Sequence, residues 1–325
     1  MFFKIQDVHI QSILSVIPKK KNKVKEDDHV KRVKRVIGVK SSRRAQDHVT
    51  TVDLFIEASH KIIKKNSIKK DKINCLICVT QTPDYLMPSC SNIIHQKLKL
   101  KKDCAVFDIN LGCSGYVYGL WVAMTIMRNC KGYGLLLVGD TMSKTINDKD
   151  FSNQLLFGDG SSATLLEKKR GLKSFFKIGS GNTGFDKLIL KGSGFRDKIG
   201  KPEFQMDGKE VFSFALSNVP VLVREVLAQS KFDSKDINYY IFHQANKMML
   251  DKIYDELGIV HKKRLFSIQE YGNTSSASIP ITICKFNHSG RNNCLIAGFG
   301  AGFSFAASIV NLSKTNISKI VYYEK

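Results

Sequence analysis

Short apolar runs alternate along this chain with helical segments, and most of the runs end on glycine or small polar residues. Residues 73–79, 104–110, 134–139, 237–242, 264–268 and 293–297 are compact and apolar, which predicts strands. Residues 91–100, 221–230 and 247–257 read as helices between them. Residues 116–124 are apolar on every face, so they predict a helix buried inside the protein. Strand and helix in alternation imply mostly parallel sheets with helices on their faces, an α/β protein.

The pattern occurs twice. In each half a basic helix leads into a strand, then a second helix, then a strand ending in a glycine turn. Segments 104–115 and 265–276 correspond, as do 134–139 and 294–298. The expected halves are residues 1–170 and 171–325, with a boundary at the basic stretch 168–171. Residues 179–208, rich in glycine and lysine, are expected to form loops near a substrate entrance.

Composition narrows the class. With 43% hydrophobic residues and a mean hydropathy of −0.15, the 325-residue chain can bury a large core and reads as a soluble globular protein. No apolar run reaches the roughly 18 residues of a membrane span, and the N-terminus lacks a signal peptide's apolar stretch. No membrane association and a cytoplasmic location are therefore expected. The eight cysteines do not suggest a disulfide scaffold. Cys75 and Cys78 are three apart on an expected strand, so they point to opposite faces and are read as packing, as are Cys90, Cys104, Cys130, Cys284 and Cys294. No histidine-cysteine cluster has zinc spacing, so no metal is expected.

The net charge of +22 changes the picture of partners. Lysines are densest at 19–25 and 31–35 but recur throughout, without a nucleic-acid-binding motif. A solvated basic surface is the plain reading, docking of an acidic protein the next, and nucleic acid the last.

Cys113 carries the candidate chemistry. It stands where an expected strand, ending Asp108-Ile109-Asn110, turns through Leu111-Gly112 into the buried helix. A thiol at a helix N-terminus is expected to have a lowered pKa, and the turn aims backbone N–H groups at whatever the sulfur attacks. Two further strand ends supply His243-Gln244-Ala245-Asn246 and Gly272-Asn273-Thr274-Ser275-Ser276, where open α/β sheets build their sites. A lone cysteine, histidine or Gly-Asn turn is more often structural; three in this setting point to function.

Residues 108–115, Phe157-Gly158-Asp159-Gly160, residues 243–246, 272–280 and 298–303 together resemble β-ketoacyl-[acyl-carrier-protein] synthase III, in order and over nearly the whole chain. The resemblance implies a thiolase-like five-layer αβαβα fold made of two pseudo-duplicated βα halves. It also implies that Cys113 is acylated from a thioester, with the N–H groups of Cys113 and Ala301 as oxyanion hole. Ala301 stands where relatives usually have glycine, which is tolerable only at negative φ. His243 and Asn273 would then stabilise the enolate left when malonyl-carrier protein loses carbon dioxide. No bound cofactor is implied beyond the phosphopantetheine of acyl carrier protein, or coenzyme A, as substrate carrier. The implied partners are acyl carrier protein, acyl and malonyl thioesters and a second copy of the chain, in fatty-acid or specialised acyl-chain synthesis.

Gln244, Asn246, Lys247, Met248 and Arg32 are expected at the pantetheine mouth, and Met87 and Phe212 in the acyl pocket. Asp159 is expected to be a structural turn. By register, Arg32 replaces the mouth tryptophan of coenzyme A-using relatives, and Phe151 and Met248 replace two arginines. These departures favour a carrier-bound donor. Two other readings stand beside condensation: transfer of the acyl group from Cys113 to oxygen or nitrogen without decarboxylation, and a basic nucleic-acid binder on a former synthase fold.

Overall fold

The structure is a computed structural model that describes residues 1–22, 27–196, 200, 202–286 and 292–324. The first half runs β1 (Phe2–Pro18), α1 (Asp28–Ile37), α2 (Thr51–Lys65), β2 (Ile73–Val79), α3 (Cys90–Leu98), β3 (Ala105–Ile109), α4 (Gly115–Met127), β4 (Tyr133–Asp140) and α5 (Phe151–Leu156). The chain continues through β5 (Gly160–Ser180), β6 (Leu188–Lys191), β7 (Glu203–Met206), α6 (Gly208–Ser230), β8 (Tyr239–Phe242) and α7 (Lys247–Glu256). After these come α8 (Ile268–Tyr271), α9 (Ser278–Lys285), β9 (Cys294–Gly300), β10 (Ser304–Val310) and two short strands that join β1, β11 (Asn316–Ile317) and β12 (Val321–Tyr323).

The strands form two half-sheets that share the long hairpin of β1 and β5. One half has the order β3-β2-β4-β5-β1, the other β8-β9-β10-β5-β1. Residues 160–167 of β5 pair with β4, and residues 175–180 pair with β10. The passage lies at a bend where Gly171 and Asp7 both have positive φ, and the Gly171 N–H donates to Asp7 Oδ1 over 2.9 Å. Residues 168–171 therefore lie inside one continuous strand.

Helices α4 and α9 lie between the half-sheets, α2 and α3 cover one outer face, and α6 and α7 cover the other. That is the five-layer αβαβα arrangement. Helix α4 is central because Tyr116, Val117, Leu120, Met124 and Met127 leave it no polar face, and all are buried. Three separate clusters of buried apolar side chains fill the central layer and the two outer ones. Helix α6 is long and apolar enough to cross a membrane by length and composition, and it packs on β10, β9 and β5. It begins at Gly208 rather than at 221, with Pro220 buried in its interior.

Two expectations need correction. Residues 264–268 form no strand. Arg264 makes a single parallel bridge to Tyr240, and the next residues turn into α8. The side chain of Gln244 takes the place of the missing ladder: its Oε1 accepts the Ser267 and Ile268 N–H groups, and its Nε2 donates to the Phe242 and Leu265 carbonyls. Residues 179–208 are not all loop either. Leu188–Lys191 and Glu203–Met206 pair antiparallel as a hairpin, and residues 197–199 and 201 lie outside the described residues. Of the densest basic run, Lys23, Val24 and Lys25 also lie outside them.

Candidate active site

A cavity of about 430 Å³ opens between the halves, and Cys113, His243 and Asn273 all line it. They arrive from three different structures. Cys113 follows β3 and precedes α4; His243 directly follows β8; Asn273 sits in the turn between α8 and α9. This turn is fastened to the Phe157-Gly158 segment, since the Asn273 N–H donates to the Leu156 carbonyl (2.8 Å) and the Gly158 N–H to the Asn273 carbonyl (3.0 Å). Gly272 has φ of 72°, and a Cβ there would stand 2.7 Å from the Leu156 carbonyl oxygen. Glycine is thus required for the turn to close on the first half. Asp159 anchors the same region by accepting the Ala45 and Ser143 N–H groups and the Ser143 hydroxyl.

The backbone of β9 and the residue after it pass directly over the nucleophile. A Cβ on Gly300 would lie 3.1 Å from Cys113 Sγ and 2.6 Å from its Cβ, so only glycine permits this approach. Ala301 follows at the cavity wall and is not among the residues of positive φ, which meets the condition for a methyl there. Its carbonyl is held by the Ser304 hydroxyl, and Ser304 in turn contacts Ser114 (2.7 Å), next to Cys113.

The electrostatics of Cys113 differ from the helix-terminus expectation. Its thiol is pushed up to about 12, first by burial and then by the Asp140 carboxylate, against the pull of the Ser275 hydroxyl and its own backbone N–H. Cys113 precedes the helix by two residues, and the Gly115 N–H is already committed to the Gly112 carbonyl at 2.7 Å. Burial and the nearby carboxylate therefore outweigh the hydrogen bonds that favour a thiolate. Alkylation by iodoacetamide is expected to rise about tenfold per pH unit to about pH 9 or beyond. A plateau near neutrality, measured by intact mass against pH, would contradict a neutral resting thiol.

His243 is fully enclosed, and burial lowers its pKa to about 3, with the Ser275 carbonyl acting in the opposite sense. It is a neutral imidazole at any working pH. Its Nδ1 stands 2.7 Å from Ser278 Oγ, which already accepts the Gln244 N–H. When the Ser278 hydroxyl donates to Nδ1, the imidazole hydrogen lies on Nε2. The Asn273 Oδ1 accepts the Ser275 N–H (2.9 Å), and among the described residues nothing takes its Nδ2. Both side chains thus offer an N–H donor.

The other expected site residues divide. Asn246 lines the cavity and caps α7 through its Oδ1. Gln244 does not reach the mouth; it is completely buried in the backbone role described above. Helix α1 packs against α5 and α7, which brings together the elements that carry Arg32, Phe151, Lys247 and Met248. Lys31, Lys34, Arg35, Lys40 and Lys247 line a shallow basic groove there, while Met248 is exposed and the Phe151 ring lies 6.2 Å from His29. Phe212 packs against the outer cluster beneath α6, and its neighbour Val211 faces the cavity instead. Met87 is 86% exposed and does not line the cavity of its own chain.

The apolar lining comes mainly from residues that the sequence pattern did not single out. Leu188, Leu190, Phe204 and Met206 of the β6–β7 hairpin close one side, with Met142 and Phe157. The apolar run Leu188-Ile189-Leu190 and the alternation in Phe204-Gln205-Met206 were the available signal. Among the described residues no cluster of His, Cys, Asp or Glu could hold a metal ion.

Comparison with known proteins agrees with this architecture. Residues 107–184 match the family model for 3-oxoacyl-[acyl-carrier-protein] synthase III, and residues 227–312 match the model for its C-terminal part. A putative 3-oxoacyl-[acyl-carrier-protein] synthase 3 of Campylobacter jejuni is 34% identical over 313 residues, covering 91% of this chain and 89% of the relative. A β-ketoacyl-[acyl-carrier-protein] synthase III of Clostridium tetani is 35% identical, covering 82% and 86%. The crystal structure of a 3-oxoacyl-(acyl-carrier protein) synthase from Burkholderia xenovorans superposes with a TM-score of 0.94 at 32% identity, covering 99% of both chains.

Proposed function

Because the chain belongs to the 3-oxoacyl-[acyl-carrier-protein] synthase III family of condensing enzymes, we propose that Cys113, His243 and Asn273 carry out a decarboxylative condensation on acyl-carrier-protein thioesters. The observation that carries this reading is the convergence of one thiol and two neutral N–H donors on a single cavity. Among the described residues, no lysine, arginine, aspartate or glutamate lines it. Cys113 attacks the acyl thioester and displaces the carrier thiol, with its own N–H and that of Ala301 receiving the oxyanion. Malonyl-carrier protein then enters and loses carbon dioxide. The electron pair left behind sits on an enolate whose oxygen takes hydrogen bonds from His243 Nε2 and Asn273 Nδ2. An imidazole kept neutral by burial suits that task, because it donates without protonating the enolate outright. The enolate carbon attacks the acyl-Cys113 carbonyl, the C–S bond breaks, and the 3-oxoacyl thioester leaves on the carrier.

The working unit on this reading is a homodimer in the cytoplasm. Strand β3 is an open edge with half-buried Val106, Phe107 and Ile109, and Tyr85, Leu86 and Met87 form an exposed apolar loop. A second copy that covers both would bring Met87 to its neighbour's acyl pocket. The test is a two-stage reaction: intact mass after exposure to a panel of acyl thioesters, then malonyl-carrier protein. One acyl group on Cys113 followed by equal amounts of carbon dioxide and 3-oxoacyl product is expected. Acylation without carbon dioxide release would transfer the assignment to a plain acyltransferase.

A further inference from the structure

A large share of the +22 net charge gathers at one end of the first half, away from the cavity. Strands β3, β2 and β4 are neighbours and run parallel, and Gln81, Asn110 and Cys113, which follow β2 and β3, line the cavity. The amino ends of the same strands therefore lie at the opposite end of the sheet, roughly 23 Å away along the seven residues of β2. Segments 69–72, 99–103 and 128–131 enter the strands there, and each holds two or three lysines or arginines. Strand β5 extends this end. It pairs antiparallel with β4, Glu167 opposite Tyr133, so Lys168, Lys169 and Arg170 run on past the amino end of β4. A Cβ on Gly132 would lie 2.4 Å from the Lys72 carbonyl oxygen, and the Asn74 amide donates to the Lys131 carbonyl. The segments before β2 and β4 thus meet as one surface.

Its cations are left largely unneutralised. Lys69, Lys70, Lys131, Lys168 and Arg170 are exposed and, among the described residues, form no ion pair. The pairs that do form, Lys72 with Asp71 and Lys169 with Glu167, are long, at 3.8 Å and 3.9 Å. The duplicated fold supplies an internal comparison. At the amino end of β8 in the second half, Arg264 pairs with Asp255 at 2.8 Å and Lys235 with Asp233 at 3.4 Å. The Lys263 ammonium there donates to the Ser234 and Lys235 carbonyls. A uniformly lysine-rich surface would leave both ends alike.

We propose that this basic end of the first half is a docking surface for an anionic lipid bilayer. The charges are spread over the ends of adjacent strands, each about 4.8 Å from the next, so they present a broad face to a plane. None of the exposed large apolar side chains lies among them, aromatic rings included, so no platform for stacked bases is present among the described residues. Lysine outnumbers arginine there, and a lysine is a point charge suited to lipid phosphates rather than to bidentate reading of a base edge. Each such cation near an anionic leaflet adds attraction that fades within a Debye length. The expectation of no membrane association rested on the lack of an apolar span, and a basic surface needs none. Docked by this end, the protein holds its cavity on the side away from the bilayer, open to a carrier.

The experiment is co-sedimentation of the full chain with vesicles of phosphatidylcholine, with and without phosphatidylglycerol. Binding is expected only where phosphatidylglycerol is present, and it should vanish as salt approaches about 1 M, where the Debye length is about 3 Å. The triple variant Lys168→Gln, Lys169→Gln, Arg170→Gln should weaken vesicle binding on the order of 10²-fold. Lys31→Gln, Lys34→Gln, Arg35→Gln removes the same charge at the rim of the mouth and should weaken it far less. If the first variant does not fold, acetylation of the native protein, mapped by mass, decides: vesicles should shield Lys69, Lys70 and Lys131 and leave Lys31 open. Shielding of Lys31 instead overturns the proposal. Equal losses in the two triple variants also overturn it, because net charge alone would then account for the binding, and so does a native protein that ignores anionic vesicles. Duplex DNA held more tightly than the vesicles at the same ionic strength would reassign the surface to nucleic acid.

Discussion

Cys113→Ala should abolish acylation entirely, while His243→Ala and Asn273→Ala should still accept an acyl group and then fail to condense. The division follows from geometry. Only Cys113 brings a thiol into the cavity; Cys75, Cys78, Cys90, Cys104, Cys284 and Cys294 are buried elsewhere, and Cys130 is half-buried at the far end of α4. The oxyanion donors for acylation are backbone groups of Cys113 and Ala301, which neither His243→Ala nor Asn273→Ala removes. Loss of one enolate donor should cost about 10²–10³-fold in the condensation step, by analogy with a single oxyanion-hole donor. Intact mass reports the first stage and carbon dioxide release the second. Unchanged acylation of Cys113→Ala would falsify the assignment, because no other cysteine has this access.

Much of that site was legible before any fold was known, and for a physical reason. The duplicated pattern places Cys113 and Asn273 in corresponding glycine turns of opposite halves, although residues 264–268 form no strand before the second turn. Such turns face one another when α4 and α9 share the central layer. The glycines were equally informative. Gly272 and Gly300 mark where one backbone passes too close to another for a side chain, and both approaches are part of the site.

What was not legible depended on long-range contacts. Gln244 looked like a mouth residue because it follows His243, yet its amide replaces a strand ladder that residues 264–268 cannot form. The Cys113 pKa could not be read from a helix boundary, because desolvation and a carboxylate 27 positions away raise it. The positive φ of Ser275 and the bond from its N–H to Asn273 Oδ1 exist only in three dimensions. The hairpin at 188–206 was hidden by the glycine and lysine around it.

The identity of the acyl donor gives the second large effect. Acyl-carrier protein should acylate Cys113 far faster than the matching acyl-coenzyme A. By sequence register Arg32, Phe151 and Met248 stand where coenzyme A-using relatives are expected to hold a tryptophan and two arginines, and the helices that carry them, α1, α5 and α7, pack together. Hydrogen bonds to charged groups contribute roughly 1.5–3 kcal/mol each, so two missing arginines should cost on the order of 10²-fold or more. Phe151 beside His29 still offers an aromatic face, which contributes stacking but no charge. The groove of Lys31, Lys34, Arg35, Lys40 and Lys247 lies along the same rim and suits an acidic protein surface far larger than a nucleotide. Steering by such a groove weakens as salt shortens the Debye length, so the carrier reaction should slow with ionic strength. Second-order acylation rates for both donors at low and high salt decide the matter. Equal rates with no salt dependence would mean that the rim does not select the carrier, and that coenzyme A binds through contacts other than the expected arginines.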